Sequence, residues 1–178
     1  MYMEHISRSV DRLIKKYGET EPEKLCRTMG IILLEEPMGT LSDVSCKGFY
    51  LIQSNKQAIV VNNDLPEVLR RVVIAHELGH AVLHKKAAGV YTFHDFIMFD
   101  NVSKFEYEAN LFAAELLIQD EAILALLDDD ISFFTAASRL FVPPELLDFK
   151  FRLLKCKGYK INDPPFTAKS NFLKNLSK

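Results

Sequence analysis

Cysteine is scarce in this chain of 178 residues: Cys26, Cys46 and Cys156 are its three, far apart and without a C-x-x-C pair. That argues against a disulfide framework and against a cysteine-built zinc ribbon, and it fits reduced thiols in a cytoplasm. An excess of one charge is lacking too. The formal net charge is −2, so no basic field advertises nucleic acid, and none advertises an anionic membrane. No apolar run reaches the roughly 18 residues that a membrane-spanning helix needs. The start, Met1-Tyr2-Met3-Glu4-His5, lacks the basic-then-apolar layout of a signal peptide. There is no internal repeat, no low-complexity linker, and no serine or cysteine in a nucleophile motif. What remains is 48% hydrophobic and 26% charged, which suits one domain, or one core with a small appendage.

Three of the five histidines fall within nine residues, in Val73-Ile74-Ala75-His76-Glu77-Leu78-Gly79-His80-Ala81-Val82-Leu83-His84. This is H-E-x-x-H inside an apolar, proline-free run. On a helix His76 and His80 project from one face and reach the same ion. Glu77 lies about 100° further round, too far to share that ion but placed to take a proton from an attacking water. The competing reading is a core helix whose histidines bond to neighbours. Unpaired imidazoles on a face built of Leu69, Val72 and Val73 are costly, and a cation satisfies them. His84 is a rival third ligand, but donors at i, i+4 and i+8 on a straight helix diverge. It is expected to hydrogen-bond nearby or pack under the site. The longer H-E-x-x-H-x-x-G-x-x-H pattern is absent.

The rest of the site is expected in the helical stretch Phe105 to Ile118. At 100° per residue, Glu108, Glu115 and Gln119 share one arc, read as the solvated face. Glu106 and Asn110 fall among Ala109, Ala113, Leu116 and Leu117. A carboxylate on an apolar face needs a cationic partner. Glu106 is therefore placed to be the third ligand, with Asn110 one turn on to orient a ligand by hydrogen bond. The alternative pairs Glu106 with Arg70 or Arg71.

Around these the pattern predicts a helix over residues 5–17 and another from Glu21 to about Met29. Strands follow over 31–35, 48–53 and 57–62, the last two joined by Ser54-Asn55-Lys56 as a hairpin. The continuously apolar Ala58-Ile59-Val60-Val61 reads as a buried strand beside the histidine helix, and a strand edge there can hold an extended peptide. Asp64, Pro66 and Glu67 read as a capping box opening that helix. The aromatic segment from Val90 to Val102 reads as packing or as a flap over the site, with Tyr91 or His94 a conceivable oxyanion donor. Helices are expected over 121–127, 131–141 and 144–156. The last two have helix-turn-helix spacing, but Glu145 and Asp148 beside Lys150 and Arg152 make no basic reading face, so packing or protein docking is preferred to DNA recognition. The division expected is 1–124 for the catalytic core with its N-terminal helices, then 125–178 for a helical region and a flexible tail that Phe166, Phe172 and Leu173 can tether.

His76-Glu77-Leu78-Gly79-His80 with Leu83-His84, followed by Glu106-x-Glu108-Ala109-Asn110-x-Phe112-Ala113-Ala114-Glu115-Leu116-Leu117, resembles the ImmA/IrrE family of metallopeptidases. Gly48-Phe49-Tyr50 and Ile59-Val60-Val61-Asn62 resemble that family's layout as well. One departure is Leu117-Ile118-Gln119-Asp120, where the family often has Leu-Leu-Met-Pro. The resemblance implies an α+β fold with a zincin-like core, a small antiparallel or mixed sheet packed on the H-E-x-x-H helix and a glutamate-bearing helix. It implies a gluzincin-like site with one Zn2+ on His76, His80 and Glu106, and Glu77 as catalytic base. It also implies a protein substrate, a helix-turn-helix transcriptional repressor whose cleavage relieves repression of a mobile element, a prophage or a stress response. The alternatives are a non-catalytic module that grips a repressor or DNA around a structural or vestigial metal, and a hydrolase with a non-peptide substrate.

Overall fold

The computed structural model describes residues 2–39, 46–85, 102–128 and 131–175. Helix α1 (Tyr2–Tyr17) buries Ile6, Val10 and Leu13 along one stripe and stops where Gly18 takes φ +66° and bonds back to the Ile14 carbonyl. Helix α2 (Pro22–Thr28) starts with proline in its first turn, where no N–H is missed. Strands β1 (Ile32–Glu36), β2 (Gly48–Gln53) and β3 (Lys56–Asn62) form one mixed sheet in the order β1-β3-β2, with β1 parallel and β2 antiparallel to β3. The β2–β3 connection is tighter than expected. Only Ser54 and Asn55 lie in it, both at positive φ (49° and 62°), which is the two-residue turn whose twist matches a hairpin.

The central β3 is apolar on both faces because both are covered: Ile59 and Val61 on one face have no exposed surface, and Ala58 and Val60 on the other are buried as well. Across it lies α3 (Glu67–Leu83), the H-E-x-x-H helix. Its start corrects one expectation. Pro66 is the N-cap and no side chain caps the helix, because Asp64 Oδ2 accepts from the Gly39 N–H instead (2.8 Å).

Helix α4 (Val102–Leu117) packs against α3, and Gly79 is the reason they come so close. A Cβ there would meet Ala109 Cα and Phe112 Cβ at 3.2 Å each. Helices α5 (Asp120–Asp128), α6 (Phe133–Arg139) and α7 (Pro144–Cys156) follow, with Ser132 capping α6 through a 3.2 Å bond from the Thr135 N–H. Helix α7 is buried around most of its circumference, from Leu146 to Phe151 without a break, so it offers no free face to a DNA groove. A last turn, α8 (Phe172–Asn175), returns the chain to the core through Phe172. No helix among the described residues is long and apolar enough to cross a membrane.

The burial of α7 overturns the reading of Glu115 as solvated. Glu115 and Asp120 face Lys150 and Lys157 in a ring of four contacts at 2.6–2.7 Å, and Lys150 is 1% exposed. Burial alone would raise the Glu115 carboxyl, but the two lysines outweigh it and hold it below its ordinary 4.5. They do the same for Asp120. A carboxylate depressed in the folded state stabilises above its unfolded pKa, and that stabilisation is lost as pH falls through the folded one. We therefore predict that stability drops below pH 4.5, and that Glu115→Gln flattens the drop; denaturation midpoints against pH measure both. Lys150→Met should cost about 3 kcal/mol at neutral pH, the low end for breaking a buried pair because Lys157 still reaches both carboxylates.

Candidate metal centre

Helical pitch sets His76 and His80 on one side of α3, and their Nε2 atoms stand 3.2 Å apart. The first turns of α4 bring Glu106 to the same point: one carboxylate oxygen is 3.3 Å from His76 Nε2 and the other 3.4 Å from His80 Nε2. The alternative partners of Glu106 are engaged elsewhere, Arg70 with Glu35 and Arg71 with Glu21. His76 and His80 are buried and Glu106 is largely so. Together they form a group able to hold a metal ion.

The electrostatics are those of a cation site. Burial works to raise Glu106, yet the two imidazoles outweigh it and hold its carboxyl far below the usual range. Burial also works to lower His76, but Glu106 wins and raises it. His80, buried beside His76, is pushed down to about 4. The carboxylate thus stabilises one positive charge between the rings, and two do not fit. Glu77, one residue round the helix, is 4% exposed, and burial pushes it up to about 7. Its carboxylate takes the Tyr50 backbone N–H, while Oε2 is buried with no hydrogen-bond partner among the described residues. Strand β2 approaches Glu77 this closely because Gly48 has no side chain: a Cβ there would lie 2.5 Å from Val73 Cγ1 and 2.9 Å from the Val60 carbonyl oxygen.

Each histidine is gripped on its far nitrogen. Asn110 Oδ1 lies 2.8 Å from His76 Nδ1. His80 Nδ1 lies 3.0 Å from His84 Nδ1, and His84 Nε2 lies 2.7 Å from Glu108 Oε2. So Glu108 is no solvated residue either: its side chain curls back to α3, which a radial helix projection misses. The tautomers follow from this network. An ionised carboxylate only accepts, so His84 Nε2 donates to it; the neutral ring then accepts at Nδ1 from His80, whose Nε2 keeps a lone pair facing His76. Glu108→Ala is expected to weaken metal affinity by about 10–100-fold, the usual cost of an outer partner, as read by competition with a chromophoric chelator. Sequence reasoning missed Glu108 in this role, although an unmatched His84 on the same face was the signal for such an acceptor. Tyr91 and His94, the conceivable oxyanion donors, and the aromatic flap lie outside the described residues.

Known proteins are similar to this chain over the same stretch. The family described as the IrrE N-terminal-like domain matches residues 26–152, which include every residue gathered at the site. A Bacillus phage phi105 protein named uncharacterized immunity region protein 2 is 34% identical over 145 residues, covering 82% of this chain and 88% of its own. Metallopeptidase ImmA of Bacillus subtilis is 31% identical over 124 residues, 66% of each chain.

Proposed function

Since the chain belongs to the ImmA/IrrE family of metallopeptidases, we propose that it is a zinc-dependent endopeptidase of the cytoplasm that cleaves a helix-turn-helix transcriptional repressor. The observation that carries the zinc reading is the convergence of two imidazoles and one carboxylate: His76 Nε2 and His80 Nε2 stand 3.2 Å apart, with one Glu106 oxygen 3.3 Å from the first and the other oxygen 3.4 Å from the second. Two ring nitrogens and a carboxylate gathered at one buried point are a donor set that zinc takes. The buried Oε2 of Glu77 beside them, which has no hydrogen-bond partner among the described residues, supports the same reading.

His76, His80 and Glu106 would hold the ion. When bound, it supplies a Lewis acid that polarises the scissile carbonyl and makes a water more acidic. Glu77 then takes the attacking water's proton and hands it to the leaving amine. The Tyr50 N–H steadies Glu77 from the sheet side. Strand β2, beside Glu77, is one of the two edges of the sheet, and an extended substrate segment adds to it by main-chain hydrogen bonds.

The repressor enters from the family resemblance and from the phage relative, which is named for an immunity region. The test is to incubate the zinc-loaded protein with helix-turn-helix repressors, beginning with any encoded beside its gene. Chelator-sensitive cleavage of one of them is expected. Tight binding with no cleavage of any would support the non-catalytic module instead.

A further inference from the structure

The C-terminal stretch of the described chain returns to the metal centre. Beyond α7 the backbone folds back along that helix: the Ala168 N–H donates to Asp148 Oδ2 (2.9 Å), and the Ala168 carbonyl accepts from Arg152 (2.8 Å). Phe172, 4% exposed, sits against the buried Phe149 with ring centroids 5.6 Å apart. Between these anchors the Ser170 backbone carbonyl accepts a 2.6 Å hydrogen bond from Asn110 Nδ2. The other end of that carboxamide, Oδ1, is the atom that meets His76 Nδ1. Asn110 has no exposed surface, so water does not stand in for either partner.

A carboxamide has a donor end and an acceptor end, and its partners decide which way round it sits. A carbonyl only accepts, so Ser170 draws the NH2 end to itself and commits Oδ1 to His76. There Oδ1 only accepts. Nδ1 of His76 therefore carries hydrogen, and Nε2 is left free to bind a cation beside His80 and Glu106. Turned the other way, the NH2 end would donate to Nδ1 and move the hydrogen of the neutral ring to Nε2, the wrong nitrogen for a ligand. We propose that the C-terminal segment is a working part of the metal centre, with Ser170 a positioning residue whose carbonyl fixes the sense of Asn110 and, through it, the tautomer of His76. This rests on His76 being a ligand, as the proposed function has it.

The test is a cobalt(II) titration, followed by visible absorption, of four proteins: the full chain, a chain ending at Lys169, Asn110→Asp, and the two changes combined. Ending at Lys169 should weaken cobalt binding by about 10–100-fold. Aspartate has no donor for the Ser170 carbonyl and no sense to fix, so in the Asn110→Asp background the same truncation removes no hydrogen bond from the site and should not weaken binding further. If the shortened chain does not fold, as circular dichroism will tell, Phe172→Ala takes its place in the cycle. Equal losses in both backgrounds would mean that the tail merely stiffens the fold, and unchanged affinity in the truncated chain would mean that it does not act on the site; either overturns the proposal. A full chain that takes up no cobalt removes the metal reading itself, and with it this one. That result is distinct from an intact metal centre indifferent to residue 170.

Discussion

Glu77→Gln is expected to lower repressor cleavage by about 10³-fold while metal content and repressor binding stay as they are. The substitution is close to isosteric, which matters at a residue only 4% exposed and pressed against Gly48 and β2. Glutamine can still accept the Tyr50 N–H through its oxygen, so the helix and strand keep their places. What it cannot do is take a proton from water and return it. Cleavage by the variant at the full rate would remove Glu77 from the mechanism. Lost metal in the variant would recast Glu77 as a structural residue.

Glu106→Ala should have the larger effect on the ion. About one zinc per chain is expected in the purified wild type, and none in the variant, by metal analysis. Taking away a donor leaves two imidazoles to do the work of three groups, so the loss should exceed the roughly 100-fold that an outer partner commands. Glu108→Ala, two residues on, is the comparison, since Glu108 reaches His80 by way of His84 and is not itself placed as a donor. Equal zinc in wild type and Glu106→Ala would mean that the ion sits elsewhere.

The sequence made the inner part of this site legible for a simple reason. His76, Glu77 and His80 lie on one helix, where pitch alone settles who faces whom, and Glu106 stood out as a carboxylate among Ala109, Ala113 and Leu116. The strands were equally plain, because Ala58 to Val61 is apolar throughout and Ser54-Asn55-Lys56 suits a hairpin connection, although Lys56 proves to belong to the strand. Glu115 was misread because what covers it is Lys150, 35 residues further along the chain, and a helix projection knows nothing of a later helix. Glu108 was misread because a long side chain need not point radially. Asp64 looked like a cap until Gly39, which no local pattern connects to it, offered its N–H. Ser170 left no trace at all, since every residue has a carbonyl and only the fold says which one matters.

The hydrogen bond from Asn110 to Ser170 spans 60 residues of chain, and a ribosome delivers them in order. At about 5–20 residues per second, Glu106 is synthesised about 3–13 s before the carbonyl that completes its surroundings, and His80 and His76 about 5–19 s before it. A nascent chain thus carries its histidines and glutamates for seconds with Asn110 free to turn either way. On the proposed reading, a message cut short before codon 170 should yield a chain whose Asn110 has lost the partner that fixes its sense.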